Sequence, residues 1–479
     1  MLKTVPILAS ALAVFRWHLC FAATEQDPSS AAASPAVAVR TSPTATPQPA
    51  AAALLPSERE LLRQLQLRDA LLDRHERELA ELRAALREHL TAPHASPPAN
   101  EGAGDAWYNR LQIRGYMQTR YNQLPSADSN ENLINEQGDK SIGKNGGLYI
   151  RRARIILFGD VHPRLSVYIQ PDFASAIGEQ LNVSIVRDFY ADVFLDRKKE
   201  FRLRIGQSKI PFGFENLQSS QNRVALDRSD ALNSAWQNER DLSLFFYWAP
   251  ARIRARFRHL VQSGLKGSGD YGVVGFGVFN GQILNRPELN AFPHVVARVT
   301  WPFALGSQFL ELGGGGYYGK YTVKIESPKD GRSIASAAAD NTFDDARGHV
   351  AAVLYPKPFG LICELNVGLG PSLSSDDLRV VDTRFLYGGY VQAMFRIPNL
   401  LGTPALLPFA RGTLYSGGKK FFSNAPHYEV RELEFGVEWQ LVPALEVVAA
   451  YQIADRTSDK YPHNQESGHV TRLHVQINY

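Results

Sequence analysis

Residues 469–479 read HVTRLHVQINY. Thr471, Leu473, Val475, Ile477 and Tyr479 share one face, with polar residues between them. Alternation of this kind is a strand with one apolar and one polar side. The final residue is aromatic and in phase, the pattern read by the machinery that inserts barrels into bacterial outer membranes. Leu473, Val475, Ile477 and Tyr479 are therefore assigned as a barrel-assembly signal. Strands of soluble β-proteins also alternate, but a terminal aromatic in phase is rarer.

The same texture runs back to Trp107. Leu111, Ile113, Met117 and Tyr121 oppose Arg114, Tyr116, Gln118 and Arg120. Phe201, Leu203 and Ile205 oppose Arg202 and Arg204, and Leu433, Phe435, Val437, Trp439 and Leu441 oppose Glu434, Glu438 and Gln440. Short turn signals at 162–164, 196–199, 357–360 and 442–444 separate these segments from longer polar loops at 122–148, 212–240, 321–345 and 456–468. Short turns on one side and long loops on the other are the layout of a transmembrane barrel. A mean hydropathy of −0.23 argues against helical spans, while a barrel needs only every second residue to be apolar. Counting strands back from Tyr479 gives sixteen if 241–262 contributes one, and seventeen if it contributes two. A single bacterial chain with both ends in the periplasm needs an even number, so sixteen is taken. The expected fold is all-β, a closed antiparallel barrel over residues 107–479.

Upstream of the barrel the composition changes three times. Lys3, an apolar stretch over 5–15 and the small-residue site Cys20-Phe21-Ala22 read as a secretory signal peptide over 1–22, with Ala23 as the rival cleavage point. Residues 23–56, rich in Ala, Pro, Ser and Thr, read as a disordered linker. Leu65, Leu72, Leu79 and Leu86 recur every seven residues within 57–91, with Leu61 and Leu82 in the companion seam and Arg68, His75 and His89 weakening it. A short periplasmic coiled coil is the favoured reading; an amphipathic helix packed on something else is the alternative. Residues 92–106 are a second linker. With Cys20 inside the signal peptide, Cys363 has no internal disulfide partner.

The stretch 251–260, ARIRARFRHL, alternates Arg252, Arg254, Arg256 and Arg258 with Ile253, Ala255 and Phe257. Read as a barrel strand, it places the arginines in the lumen, because each would cost about 2–4 kcal/mol against lipid near the midplane. The result is a guanidinium column of roughly 15 Å along the axis. Arg202, Arg204, Arg114 and Arg120 join it by the same parity. Arg152 and Arg154 in YIRRAR at 149–154 add more, although the parity there admits either face and a bulge would change it. Guanidinium matches oxyanions with a planar fork of donors and stays charged, so such a ladder predicts facilitated anion diffusion. The rival is a weakly selective pore whose arginines pair across the lumen with acids such as Glu434 and Glu438. A third reading is a structural barrel that anchors the periplasmic coiled coil to the cell wall.

RRARIILFGDV at 151–161, RLRIGQSKIPFGFE at 202–215, ERDLSLFF at 239–246 and FNG at 279–281 carry a resemblance to the outer-membrane porin O and P family, the phosphate- and pyrophosphate-selective trimeric porins. The GQSKIPFGFE segment is the most specific. The resemblance implies sixteen strands, a homotrimer and a third long loop folded inward as the constriction. That loop is 212–240 here, with Ser219, Ser220, Asn222, Arg223, Asp227 and Arg228 near the narrowest point and Lys209 entering just before it. The implied partners are inorganic phosphate or other small anions and outer-membrane lipid, with a cell-wall or periplasmic partner for the coiled coil.

Other chemistry finds little footing. GGGYYGK at 314–320 nearly spells a phosphate-binding loop, but Tyr321 replaces the magnesium-binding hydroxyl and the following YTVKI is not helical in pattern. Those glycines are expected to ease a crowded wall or a subunit contact. The histidines show no metal spacing, and no nucleophile elbow is evident, so no cofactor, metal or enzymatic activity is expected. Export and a lipid face argue against nucleic acid.

Overall fold

A computed structural model describes residues 106–123, 147–177, 180–235, 240–327, 333–374, 379–459 and 465–479. The signal peptide, the first linker, the coiled coil and all but Ala106 of the second linker lie outside the described residues. After a 3-10 turn at Trp107–Arg110, sixteen long strands follow. They are β1 (Leu111–Gln123), β2 (Gly147–His162), β3 (Leu165–Ile177), β4 (Gln180–Phe194), β5 (Phe201–Lys209) and β6 (Arg240–Trp248). Next come β7 (Val274–Phe279), β8 (His294–Leu305), β9 (Gln308–Thr322), β10 (Thr342–Leu354) and β11 (Phe359–Leu373). The last are β12 (Val380–Phe395), β13 (Ala405–Gly418), β14 (His427–Val442), β15 (Leu445–Ser458) and β16 (Gln465–Asn478). Each long strand pairs antiparallel with its neighbours in sequence, and two-residue pieces at Ala335–Ser336 and Ile397–Pro398 extend the sheet at its rims. β1 closes the ring on β16, from Tyr116 opposite Asn478 to Gln123 opposite Thr471. Closure leaves no unpaired edge in lipid, which is the condition for a sheet to span a membrane.

The period-two pattern works as physics requires. Ile113, Phe189, Ile205, Leu244, Val299, Phe385 and Leu433 stand outward and exposed, while Arg120, Arg204, Arg298, Arg347, Arg411 and Arg472 turn inward and are buried. The connections at 163–164, 306–307 and 443–444 mark the short-turn side, which is periplasmic in bacterial barrels. The GGGG segment lies within β9 as continuous strand. A Cβ on Gly315 would stand 2.4 Å from the Ala297 carbonyl oxygen, and one on Gly319 2.3 Å from the His294 ring. These glycines therefore relieve crowding in the wall and begin no phosphate-binding helix.

One strand assignment needs correction. Residues 251–262 form a helix, α3 (Ala251–Gln262), on the short-turn side between β6 and β7. Ile253, Phe257 and Leu260, spaced four and three apart, are its buried face. The stretch satisfies period two and period 3.6 alike, and pairing decides between them. Trp248 already sits opposite Phe201, the first residue of β5, so no strand remains beside 251–260 to receive its backbone donors. Arg252, Arg254, Arg256 and Arg258 are consequently not a lumen ladder. Arg252 and Arg258 are exposed; Arg254 bonds the Lys199 carbonyl and Arg256 the Pro302 carbonyl, fastening the helix to neighbouring turns. With 241–262 contributing only β6, the total remains sixteen.

Candidate functional site: a constriction built on the third loop

The third connection on the long-loop side leaves β5 at Ile210 and folds into the barrel. It carries two single-turn helices, α1 (Phe214–Leu217) and α2 (Asp230–Asn233). Ile210, Phe212, Phe214, Val224, Leu226 and Leu232 join one buried cluster with Phe245 and Tyr247 of β6, Tyr317 of β9, Ile362 of β11 and Tyr390 of β12. Thus one side of the lumen is filled by apolar packing, and the loop turns its polar residues toward β1, β2, β13 and β16.

Barrel-wall side chains fasten the loop at several points. The Glu364 carboxylate accepts from the Phe214 and Glu215 amides at 2.9 and 3.1 Å, satisfying donors that a helix start leaves open. Gly213 makes room for this, since a Cβ there would stand 2.7 Å from Glu364 Oε1, and its φ of +77° suits glycine. Arg411 grips Glu215 with both terminal nitrogens at 2.6 and 3.0 Å. Arg347 donates to Ser234 Oγ at 2.7 Å, and Lys419 pairs with Asp230 at 3.1 Å.

Several anticipated constriction residues turn out to be scaffolding. Lys209 Nζ donates to the carbonyls of Asn216, Leu217 and Gln218 at 3.0, 3.2 and 2.8 Å, closing the end of α1. Arg228 holds the Asn216 and Asn233 side chains at 3.2 and 3.1 Å. Ser219 and Asn222 form a turn, with the Asn222 amide donating to the Ser219 carbonyl at 2.9 Å. Asp227 is a hub: Arg120 meets both its oxygens at 3.0 and 3.1 Å, Arg472 approaches to 2.5 Å and Arg151 to 3.7 Å. Burial alone would raise the Asp227 carboxyl; Arg120, Arg472 and Arg151 outweigh it and hold it well below the usual carboxylate range.

The arginines of YIRRAR are brought together by a β-bulge. Thr119 faces Ile150 and Gln118 faces Arg152, so Arg151 is the extra residue of β2. The bulge lets Arg151, Arg152 and Arg154 all reach the interior. Arg154 takes Asp172 Oδ2 at 2.8 Å and Tyr116 Oη at 2.6 Å. Arg152 donates to Gln118 Oε1 at 2.7 Å, a neutral acceptor. Among the described residues no carboxylate lies within ion-pair distance of Arg152, and the charges of Arg151, Arg223, Arg120 and Arg154 all bear on it. Ser220 Oγ lies 2.6 Å from Tyr116 Oη and 3.3 Å from Arg154 Nη1. The cluster therefore sits where the loop crosses β1 and β2.

The remaining ladder arginines have acidic or aromatic partners. Arg204 holds Asp192 at 2.8 and 2.9 Å and covers the Tyr190 ring at 3.8 Å. Arg202 lies near Asp192 and Asp270, at 3.6 and 3.5 Å, and Arg114 lies over Phe158 at 5.4 Å. Between the loop and the β13–β16 wall a cleft is lined by Arg228, Arg411, Arg456, Arg472, Glu432 and Glu434. Glu438 takes Lys266 rather than an arginine. Arg411, Arg472 and Glu215 were legible only by strand parity or motif, with no signal for their pairing. Arg151 was hidden by the bulge.

The family model described as phosphate-selective porin O and P matches residues 129–479. The chain belongs to that family. This porin is an outer-membrane channel barrel and not an enzyme. No curated protein matches its sequence. Among solved structures it is similar to the outer membrane channel DcaP of Acinetobacter baumannii, at 12% identity, TM-score 0.48, over 77% of this chain and 97% of that one. An anion-selective porin from Comamonas acidovorans matches at 10% identity, TM-score 0.45, over 77% and 99%. OmpT of Vibrio cholerae, in a trimer form, matches at 11% identity, TM-score 0.44, over 77% and 99%.

Proposed function

We propose that this porin passes small anions, with phosphate or polyphosphate as the cargo class, by passive diffusion past the inward-folded third loop. The observation that carries the reading is Arg152. It is a buried guanidinium whose partner among the described residues is the neutral Gln118 side chain, and an arriving oxyanion supplies a countercharge. Arg120, Arg154 and Arg223 stand around it, and Ser220 offers a hydroxyl. The test is single-channel current in chloride while phosphate is titrated. Submillimolar block supports phosphate-type binding, and an unblocked current overturns it.

A second reading has its own support. Arg204 with Asp192, Arg240 with Asp188 and Arg298 with Glu311 are ion pairs along the inner wall, and Arg411 pairs with Glu215 of the third loop. Such pairing neutralises much of the lumen and suits a weakly selective porin, which the same titration would reveal as a large, unblocked current.

The family membership also supports a homotrimer in outer-membrane lipid, exported with loss of residues 1–22. In a trimer the seams at 57–91 from three chains gain from high effective concentration. Deleting residues 24–100 is then expected to lower the melting temperature of the trimer, and an unchanged value would remove that role. A structural barrel that anchors the helix to the cell wall is the outcome if no conductance is found.

A further inference from the structure

The connection between β6 and β7, residues 249–273, is far longer than any other on the short-turn side, where the next longest is 396–404. Its first part is α3, pressed on the rim by Ile253 and Phe257 beside Trp301. Its second part, SGLKGSGDYG at 263–272, turns into the lumen. Leu265 is 2% exposed and belongs to the cluster that holds Phe214 of the third loop, Tyr355, and Met394 of β12.

Lys266 goes further. Its Nζ meets Glu438 Oε1 at 2.5 Å, and both side chains are buried. Glu438 belongs to β14, which stands half the ring away from β6, so the segment crosses the periplasmic mouth from one wall to the opposite one. On the way it touches the constriction, because Gln218 of the third loop donates to the Lys266 carbonyl at 2.7 Å. The chain then returns to Asp270, which takes Arg254 at 2.7 Å and Arg202 at 3.5 Å beside the β6–β7 rim.

Backbone geometry lets the chain turn into the lumen and back out. Gly264, Gly269 and Gly272 hold φ of +68°, +100° and +75°, conformations that glycine adopts without penalty. The far end of the crossing is held by the Lys266–Glu438 pair, by the Leu265 side chain and by Gln218 on the Lys266 carbonyl.

We propose that residues 263–272 are a strap across the periplasmic mouth, latched by Lys266 on Glu438, which limits current in series with the third loop and opens when the latch is released. The inference rests on the reading of the barrel as a diffusion channel. It adds a second constriction to that channel, one joined to the third loop through Gln218.

The experiment is single-channel recording of the full-length porin in planar bilayers in potassium chloride, with Glu438→Gln, Lys266→Gln and the exchanged pair Lys266→Glu with Glu438→Lys. The single variants are expected to switch to a higher conductance level and occupy it roughly 10-fold more often, the loss typical of one hydrogen bond to a charged group. The exchanged pair is expected to return toward the unmodified behaviour. Should Glu438→Gln fail to fold, Lys266→Gln reads the same latch without touching the barrel wall. Heat-modifiable gel mobility establishes that each barrel is folded. Folded single variants with unmodified current and noise overturn the strap and leave the channel reading intact. Unmodified protein and variants that are all silent overturn the channel reading, and the strap with it.

Discussion

Arg411 on β13 and Glu215 in the third loop form a two-pronged ion pair, Nη1 to Oε1 at 2.6 Å and Nη2 to Oε2 at 3.0 Å, with both side chains 3% exposed. The pair joins residues far apart in sequence and ties the loop to β13. Removing one member leaves a buried charge without its partner, at a cost of about 3–5 kcal/mol. Glu215→Ala is therefore expected to loosen the loop while the barrel still closes. Noisier current of higher amplitude would show it, and a quiet, unmodified channel would assign the loop's position to the apolar cluster instead.

The arginine cluster on β2 makes a contrasting pair of predictions. Arg152→Gln removes the guanidinium that has no carboxylate partner among the described residues, and phosphate block of chloride current should weaken roughly 10-fold or more, as for one charge-assisted hydrogen bond. Arg258→Ala removes an exposed arginine from α3 and should leave block unchanged. A reversed result would return the anion path to the 251–260 segment.

The ring closes where Tyr479 lies on Gly115. Their backbones exchange hydrogen bonds at 2.6 and 3.0 Å, and a Cβ on Gly115 would stand 2.3 Å from Tyr479 Cε2 and 2.4 Å from the Arg154 carbonyl oxygen. Gly115→Val forces the ring and a strand apart at the β1–β16 seam. The expected outcome is loss of the heat-modifiable folded band and little protein in the outer membrane. Normal assembly would mean that the seam tolerates displacement of the aromatic.

Acid sensitivity follows from Asp270 at the base of the strap. Burial would raise its carboxyl, but Arg202 and Arg254 outweigh that and bring it down to about 2. A carboxylate depressed in the folded state contributes stability that is fully present above its unfolded value, about 3.9, and disappears as pH falls through the folded value. Current should thus be steady from about pH 8 to pH 4 as far as Asp270 is concerned, and become unstable below about pH 3. Asp270→Asn should show that instability at neutral pH, which a pH series of single-channel records checks.

How much was legible varied with the range of the interaction. The alternation in 111–121, 201–205 and 433–441 decides strands because one face must meet lipid, a constraint that acts residue by residue. ARIRARFRHL obeys two periods at once, and only the absence of a free neighbouring strand beyond Trp248 makes it helix. YIRRAR could not be assigned to a face because a one-residue bulge opposite Gln118 and Thr119 resets the parity. Lys209 and Arg228 read as pore cations by charge, yet their donors meet carbonyls and amides of the loop itself.

The sequence by itself determined the closed antiparallel barrel, its sixteen strands and its family, since alternation, turn length and motif are local properties of the chain. The tertiary structure alone decided which charges remain available to an anion. Asp227 meets Arg120 and Arg472, Glu215 meets Arg411, and Lys266 meets Glu438 only after the ring closes and two connections fold into it. Charge pairing inside a barrel depends on which strands face each other across the lumen, and that relation is absent from any stretch of the chain read alone.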